Sequence, residues 1–294
     1  MKHPTISVII PLFNCERYIA EAIDSALRQT YPPLEIVVVN DGSTDSGPAI
    51  VESYGDRVRM ITQANGGQSS ARNTAIAAAR GEWVALLDSD DYWLPNKLEM
   101  QVAALAASER ADLVCTGWVE LHSDGTTEDI PMGDVAWIKQ RLLYAVPMFP
   151  STVMMRRSIM IEEPWNTAQR SSEDWQMFYR LSRRVEFARV EACLTVYRVI
   201  AGSVSNSDWR NALKYAKTVA KEIQNDVGGM RGWLLRRRID GRLYANAALG
   251  VRDAGEKGSL GWMTRSLWTW PFPDVMPKRY KIFVAMAVGS LRGR

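Results

Sequence analysis

The chain has 294 residues, 47% hydrophobic and 23% charged, which is enough apolar material for a sizeable core and excludes a disordered polymer. Such a length holds one large α/β domain, or one domain with an appendage. The net charge of +3 conceals a division: residues 1–200 hold 19 Lys and Arg against 26 Asp and Glu, while residues 201–294 hold 17 against 7, so the two parts do different electrostatic work.

In chain order, ISVIIPL (Ile6 to Leu12) predicts a buried strand, and ERYIAEAIDSALRQT predicts a helix with Ile19, Ile23 and Leu27 on one face. LEIVVVNDGSTD predicts a second strand opening into a polar turn, SGPAIVESYG a helix, and VRMITQ a third strand. GQSSARNTAIAAARG begins at small polar residues suited to capping and ends at Gly81, so it predicts another helix. In GEWVALLDSDDYWLP, Trp83 to Leu87 form a fourth strand that runs straight into Asp88, Asp90 and Asp91. Alternating strands and helices are the pattern of a parallel sheet with helices on its faces. Ligands bind beyond the carboxyl ends of such strands, where Asp41 and Asp88 both fall.

From Pro95 a helix is expected to about Ser108, then a strand in ADLVCTGWVEL and a turn in DGTTED. The stretch from Pro131 to Ser172 shows no readable period. SSEDWQMFYRLSRR predicts a capped helix and EFARVEACLTVYRVI the strands after it. Beyond Gly202 the texture becomes basic and helical, over 208–226, 230–250 and 258–269, with a boundary near residue 205 and no repeat or low-complexity tract.

Cys15, Cys115 and Cys193 are odd in number and far apart, fitting neither a disulfide framework nor a CxxC metal site; a reducing compartment is expected. Lys2-His3-Pro4 leads directly into TISVIIPLFN, too short an apolar run for a secretory signal, so the expected location is cytoplasmic.

Three clustered carboxylates repel one another more than a surface turn requires, which asks for positive charge nearby. Asp88 and Asp90, alternate residues on a tight turn, can reach one hard divalent cation with positions left for phosphate oxygens. Such a cation would neutralise a diphosphate leaving group as a glycosidic C–O bond breaks. The same turn also reads as an acidic cap before the helix at Leu94-Pro95. Asp41, with Gly42 behind it, can accept from a nucleobase N–H or a ribose hydroxyl, or can be an ordinary Asx turn.

Taken in order, SVIIPLFNCERYIAEAIDSALRQTYPPLEIVVVNDGSTD, NGGQSSARNTAIAAARGEWVALLDSDD, EDWQMFYRL and YRVIAGSVS resemble the family 2 glycosyltransferases of the GT-A fold, over roughly residues 5 to 205. The resemblance implies a Rossmann-like α/β domain over 1–205, a mostly parallel sheet flanked by helices, and the change of texture beyond it gives a basic helical C-terminal extension over 206–294. It implies inverting transfer from a nucleotide-sugar donor. Pro11 and Asn14 then fall in the loop along the nucleotide, Asp41 at the uracil ring, and Gln63, Asn65 and Arg72 in the segment beneath the nucleotide and ribose. Asp88 and Asp90 match the ends of the family's DXD motif, with Asp90 expected to contact Mg²⁺ or Mn²⁺ directly. Asn40 stands where many members carry a further aspartate.

An inverting transfer needs a carboxylate opposite the leaving group to take the acceptor hydroxyl's proton. In the family the aspartate of an ED pair serves, which implies Asp174; by themselves, Ser171, Ser172, Glu173 and Asp174 also suit a helix N-terminus. Trp175 reads as a sugar-stacking or a packing residue. Arg198, in the loop after the acceptor region, offers a fork to phosphate, or is a surface arginine.

Ile282 to Leu291 is an uncharged run of 10 residues flanked by Lys278, Arg279, Lys281, Arg292 and Arg294, half the length of about 20 that spans a bilayer. Trp262, Trp268 and Trp270 lie near positive charge, which fits an interfacial helix on the inner face of the cell membrane or a helical lid on the catalytic domain. A membrane surface would suit a polyprenyl-diphosphate-linked saccharide acceptor. No recognised motif or basic–aromatic groove supports nucleic-acid binding.

The expected activity is metal-dependent transfer of a sugar from a nucleoside-diphosphate sugar to a hydroxyl of a saccharide or lipid-linked saccharide, in cell-surface polysaccharide assembly. Asp41 favours a uridine or thymidine donor and leaves guanine open. Two rivals stand: a polyprenyl-phosphate glycosyltransferase, whose phosphate nucleophile needs no base, and a non-catalytic sugar-nucleotide binding module. A sugar nucleotidyltransferase is disfavoured, because PLFNCERYI lacks a glycine- and basic-rich phosphate loop.

Overall fold

The computed structural model describes residues 3–108, 110–199, 208–272, 276 and 278–292, with the backbone alone for 289–292. By its contacts the chain divides into two units, one of Met1–Lys139, Val146–Gln169 and Met177–Ile200, the other of Gln140–Ala145, Arg170–Gln176 and Ala201–Arg294.

The first unit is built on a mixed α/β sheet. Strands β1 (Ile6–Leu12), β2 (Glu35–Asn40), β3 (Arg59–Thr62) and β4 (Trp83–Leu86) run parallel in the order β3-β2-β1-β4. Every residue of β1 and β2 is buried, as a continuous apolar run requires when both faces of a parallel sheet are covered. Helix α1 (Ile19–Leu27) buries Ile19, Ala22, Ile23 and Ala26, and α3 (Gln68–Ala78) buries the small Ser69, Ala71 and Ala75, which lets it lie close against β1 and β2. Ile6, Val8, Ile10 and Leu12 join Trp93 and Leu98 in one core, each large apolar side chain contributing about 1.5–3 kcal/mol.

The sheet continues as β8 (Val153–Arg156), β6 (Ala111–His122), β9 (Glu186–Val199) and β5 (Tyr92–Trp93), with β7 (Thr127–Ile130) on β6. β8 is antiparallel to both β4 and β6, yet most paired positions lie in parallel ladders because β6 and β9 pair in parallel along their length. The strands expected over EFARVEACLTVYRVI are one strand of 14 residues, whose pairing with β6 shifts register near Thr116 and Gly117 of that neighbour. Helix α2 (Gly47–Glu52) is shorter than expected: the chain tightens into a 3-10 turn at Gly55, where φ is +56°, a conformation glycine adopts without strain. Helix α4 (Lys97–Ala106) lies within the segment predicted from Pro95 to Ser108. The unassigned stretch holds α5 (Val135–Leu142), a 3-10 turn at Pro150–Thr152, β8 and α6 (Arg157–Glu162), each too short to show a period, and α7 (Glu173–Ser182) follows.

In the second unit α8 (Trp209–Val227), α9 (Gly229–Asp253), α10 (Ser259–Thr269) and α11 (Arg279–Arg292) follow one another. Asp208 caps α8 by accepting from the backbone N–H groups of Arg210 and Asn211, and Gly228 at φ +69° separates α8 from α9. Ala245, Ala248 and Met263 form its core with Trp262, Ile282, Phe283 and Met286 against them. Trp262 meets Trp209 edge-on and Tyr244 at a tilt, with centroids 5.6 and 5.7 Å apart, so it is a packing residue. Among the described residues no helix is long and apolar enough to cross a membrane.

Candidate active site

Because β1 to β4 are parallel, their carboxyl ends open on one edge, and the residues that follow them gather there. Pro11 is buried in β1 opposite Val39. Beyond β1, the exposed Asn14 holds φ at +47°, and its Oδ1 accepts from the Thr44 N–H at 2.8 Å, while its own N–H donates to Ser43 Oγ at 3.1 Å. The loops after β1 and β2 are thus stitched together. Asn40 Oδ1 accepts from the Ser43 N–H at 2.9 Å, so this side chain shapes the turn.

Asp41 is only 2% exposed. Its carboxylate accepts from Gln63 Nε2 at 2.7 Å and from the N–H groups of Gly66 and Gly67 at 2.9 and 2.8 Å. That leaves about one of the four acceptor positions of a carboxylate. Gln63 Oε1 accepts in turn from Thr74 Oγ1 at 2.6 Å, which ties the segment to α3. At Gly42 φ is +77° and a Cβ would lie 3.1 Å from the Asn65 N, so glycine lets the 63–67 segment settle on the β2 turn without strain.

Arg72, on α3 and 1% exposed, donates from NH2 to Asp88 Oδ1 at 2.7 Å, and its guanidinium lies 4.6 Å from the Trp165 ring centroid. Asp88 itself donates its N–H to Ser151 Oγ at 3.0 Å. Ser151 Oγ donates to Asp91 Oδ2 at 2.5 Å. Burial first, then the charges of Asp90 and Asp88, hold Asp91 well above the usual carboxylate range, against the hydrogen bond from Ser151. Burial and then Asp88 push Asp90 up from 3.8 to about 6. The neighbours feel the same cluster: burial, then Asp91, Asp90 and Asp88, push Tyr197 up to about 12. Burial pushes the Cys15 thiol up to about 11, against a hydrogen bond with Ser89.

Arg198, expected as a phosphate fork, has its guanidinium engaged within the protein. NH1 donates to the Asp90 carbonyl at 2.6 Å and NH2 to Glu21 Oε2 at 2.5 Å, while its backbone N–H faces Asp91 Oδ1 at 3.4 Å. The guanidinium also stacks 4.8 Å from the Tyr18 and 4.7 Å from the Tyr92 ring centroids. The rest of that motif, 200–205, lies outside the described residues.

The donor set of the turn is all carboxylate oxygen, suited to a hard divalent ion. Burial first and the neighbouring Asp88 second disfavour the charged form of Asp90, and a bound cation would offset both, so the residues present fit Mg²⁺ or Mn²⁺. Asp91 is held by Ser151 and Asp88 partly by Arg72, which leaves Asp90 and the second Asp88 oxygen as the ligands on offer. Apart from these, Glu120, His122 and Glu128 bring ligand atoms within 4.8 Å of one another on the β6–β7 hairpin, a group the sequence candidates did not include.

Asp174 belongs to the second unit and opens α7, where its Oδ1 accepts from the Trp175 N–H at 2.7 Å. Trp175 is buried, and its Nε1 donates to the Leu142 carbonyl at 2.8 Å, so it packs rather than offering a face to a sugar. The contributors that sequence reasoning missed are Ser151, Tyr18, Tyr92 and Glu21. Tyr18 and Glu21, three residues apart at the start of α1, carried a weak signal as a polar pair at a helix N-terminus.

A family model described as glycosyl transferase family 2 matches residues 7–171. The chain belongs to that family. Its fold is GT-A: it resembles Staphylococcus aureus TarS 1–349 in complex with UDP-GlcNAc at a TM-score of 0.66 and 21% identity, over 95% of this chain and 83% of that one. It also resembles the mannosyltransferase PcManGT of Pyrobaculum calidifontis in complex with GDP-Man and Mn²⁺, at 0.62 and 17%, over 99% and 88%. Among sequence relatives, the uncharacterized glycosyltransferase EpsJ of Bacillus subtilis (strain 168) is 43% identical over 127 residues, 42% of this chain and 37% of that protein. The chondroitin synthase of Pasteurella multocida (strain Pm70) is 30% identical over 211 residues, 70% of this chain and 22% of that protein. The chain therefore spans well under half the length of these relatives.

Proposed function

We propose that the chain is an inverting glycosyltransferase that moves a sugar from a nucleoside-diphosphate sugar, a UDP-sugar in preference, to a hydroxyl of a saccharide or lipid-linked saccharide in polysaccharide assembly. The observation that carries this reading is the single edge where the strand ends bring together the Asn14 loop, the Asp41-bound 63–67 segment, and the Arg72-held carboxylate turn. A relative named as a chondroitin synthase and a neighbour holding UDP-GlcNAc support the donor and pathway class.

In this reading the 63–67 segment and the loop at Asn14 cradle the nucleotide, with the remaining acceptor position of Asp41 taking a base N–H. Asp90 and Asp88 would hold Mg²⁺ or Mn²⁺, which when bound supplies positive charge for the diphosphate. Asp174 accepts the acceptor hydroxyl's proton as its oxygen forms a bond to the anomeric carbon. The C–O bond to the diphosphate breaks on the opposite face and the electron pair leaves with the nucleoside diphosphate, so an α-linked donor yields a β-linked product. Arg198, Ser151 and Asp91 keep the carboxylate turn in place. The basic balance of residues 201–294 supports peripheral attachment to the anionic inner face of the cell membrane.

Calorimetric titration with UDP, dTDP and GDP, each with and without Mn²⁺, tests the reading. Metal-dependent binding of one nucleotide is expected; a folded protein that binds none of them would remove the donor site.

A further inference from the structure

The second unit leaves an aromatic corner in water. Trp268 at the end of α10 is 85% exposed, Met230 and Trp233 on the first turns of α9 are 70% and 48% exposed, and Phe272 is 57% exposed. An isolated exposed apolar residue needs no explanation, but a contiguous group of large ones does. Two arginines tie the backbone of the segment that carries Trp268 and Phe272 to α9 and α11. The Arg237 guanidinium lies 5.2 Å from the Trp233 ring centroid, while its Nε donates to the Thr269 carbonyl at 3.1 Å and its NH2 to the Trp268 carbonyl at 3.4 Å. Arg279 at the start of α11 donates to the carbonyls of Trp270 and Phe272, and the Trp270 and Phe272 rings meet at 5.2 Å.

The corner is fixed, because Trp270 sits on Gly241 of α9, where a Cβ would come within 2.6 Å of the Trp270 Cβ. α11 then carries Tyr280 and Val284 exposed one turn apart, with the exposed Lys278 and Lys281 beside them. Tryptophan, phenylalanine and tyrosine mixed with arginine and lysine is the composition of a membrane–water interface: the rings sit at headgroup depth and the cations meet anionic phosphates. A protein partner would match the rings equally well but gives no reason for 17 Lys and Arg against 7 Asp and Glu over residues 201–294. No described helix can span a bilayer, so the contact is one of lying on the surface.

We infer that the corner formed by Trp233 and the Arg237-bound segment that carries Trp268 and Phe272 is the membrane-docking surface, seating the chain on an anionic lipid leaflet by insertion of these rings. The inference rests on the peripheral attachment proposed above and moves its anchor from the uncharged run of α11 to the aromatic corner.

The test is sedimentation of the full chain with phosphatidylcholine vesicles, with and without phosphatidylglycerol, for the wild type and for W233S/W268S. Both tryptophans are exposed, so the double variant is expected to fold. Circular dichroism and metal-dependent UDP titration, read in parallel, report on the fold and on the donor site separately. The inference expects binding to anionic vesicles that weakens at least about tenfold in the double variant, with tryptophan emission quenched by brominated acyl chains in the wild type alone. Equal binding of both proteins, or salt-sensitive binding without quenching, would reduce the contact to lysine and arginine adsorption and overturn it. Concentration-dependent self-association lost in the double variant, with no vesicle binding, would make the corner a protein interface. Vesicle binding as expected without nucleotide binding would leave the corner standing and remove the glycosyltransferase reading.

Discussion

Ser151 Oγ and Asp91 Oδ2 are 2.5 Å apart, and the same hydroxyl accepts the Asp88 N–H at 3.0 Å. One side chain from a segment without sequence period therefore fixes both ends of the carboxylate turn. Removing the hydroxyl leaves the buried Asp91 Oδ2 and the part-buried Asp88 N–H without this partner, a cost of about 1–3 kcal/mol. Ser151→Ala is expected to weaken Mn²⁺-dependent UDP binding by about tenfold, equivalent to about 1.4 kcal/mol, and to lower the urea midpoint. Unchanged nucleotide affinity by calorimetry would show that the turn holds its shape without Ser151.

Arg198 separates two roles by chemistry. As a phosphate ligand it would not depend on the Tyr92 ring; as a clamp between the Tyr18 and Tyr92 rings it would, and lysine would lose both the fork and the stacking. Arg198→Lys is expected to weaken metal-dependent nucleotide binding about tenfold or more, and Tyr92→Ala to reproduce the loss. If the lysine variant binds as the wild type does, the clamp is not what holds Asp90.

Asp90→Ala is expected to abolish the Mn²⁺ dependence of nucleotide binding while leaving the fold intact, because Asp90 is half-buried and its carbonyl, not its side chain, carries the bond to Arg198. Titration with and without Mn²⁺ checks this. A variant that still responds to the metal would move the cation elsewhere, with the Glu120, His122 and Glu128 group the first place to look.

How far this site could be read in advance depended on where each contact lies along the chain. β1, β2 and β4 announced themselves as unbroken apolar runs because both faces are covered, and the residues that end them are then placed by topology alone. That is why Asp41 and Asp88 were legible as site residues. Their partners were less so: the Asp41 bonds to Gly66 and Gly67 come from backbone N–H groups, which have no side-chain signature. Ser151 lay in a stretch whose short strand β8 is antiparallel to both its neighbours and carries too few residues for a period. Arg198 was recognisable but its partner Glu21 is 177 residues away, and no local pattern reports such a pairing.

Asp174→Asn tests the base. A positioned general base contributes about 10²–10⁴-fold, so kcat on a hydroxyl acceptor is expected to fall by that order while metal-dependent UDP binding stays unchanged. A polyprenyl-phosphate acceptor would make the same substitution nearly harmless, since its nucleophile is already ionised. A full-activity variant would therefore favour that rival, and a loss confined to KM would point to a role in binding.

Lys97 is fully buried, its Nζ 3.0 Å from Gln101 Oε1 and 4.0 Å from the Trp93 ring centroid. Burial holds its ammonium well below the ordinary 10.5. A group whose folded pKa lies below its unfolded value binds more protons in the unfolded state, so stability rises with pH between the two, by at most about 1.4 kcal/mol per pH unit. Cys115, pushed by burial from 9.0 to about 12, acts oppositely from about pH 9 upward, which makes pH 7 to 8.5 the informative window. Across it the urea midpoint of the wild type is expected to climb relative to Lys97→Met, a variant that also starts higher at pH 7 because it removes the cost of burying an amine. Parallel pH profiles for the two proteins would show that Lys97 keeps its proton in the folded core, stabilised there by the Trp93 ring and Gln101.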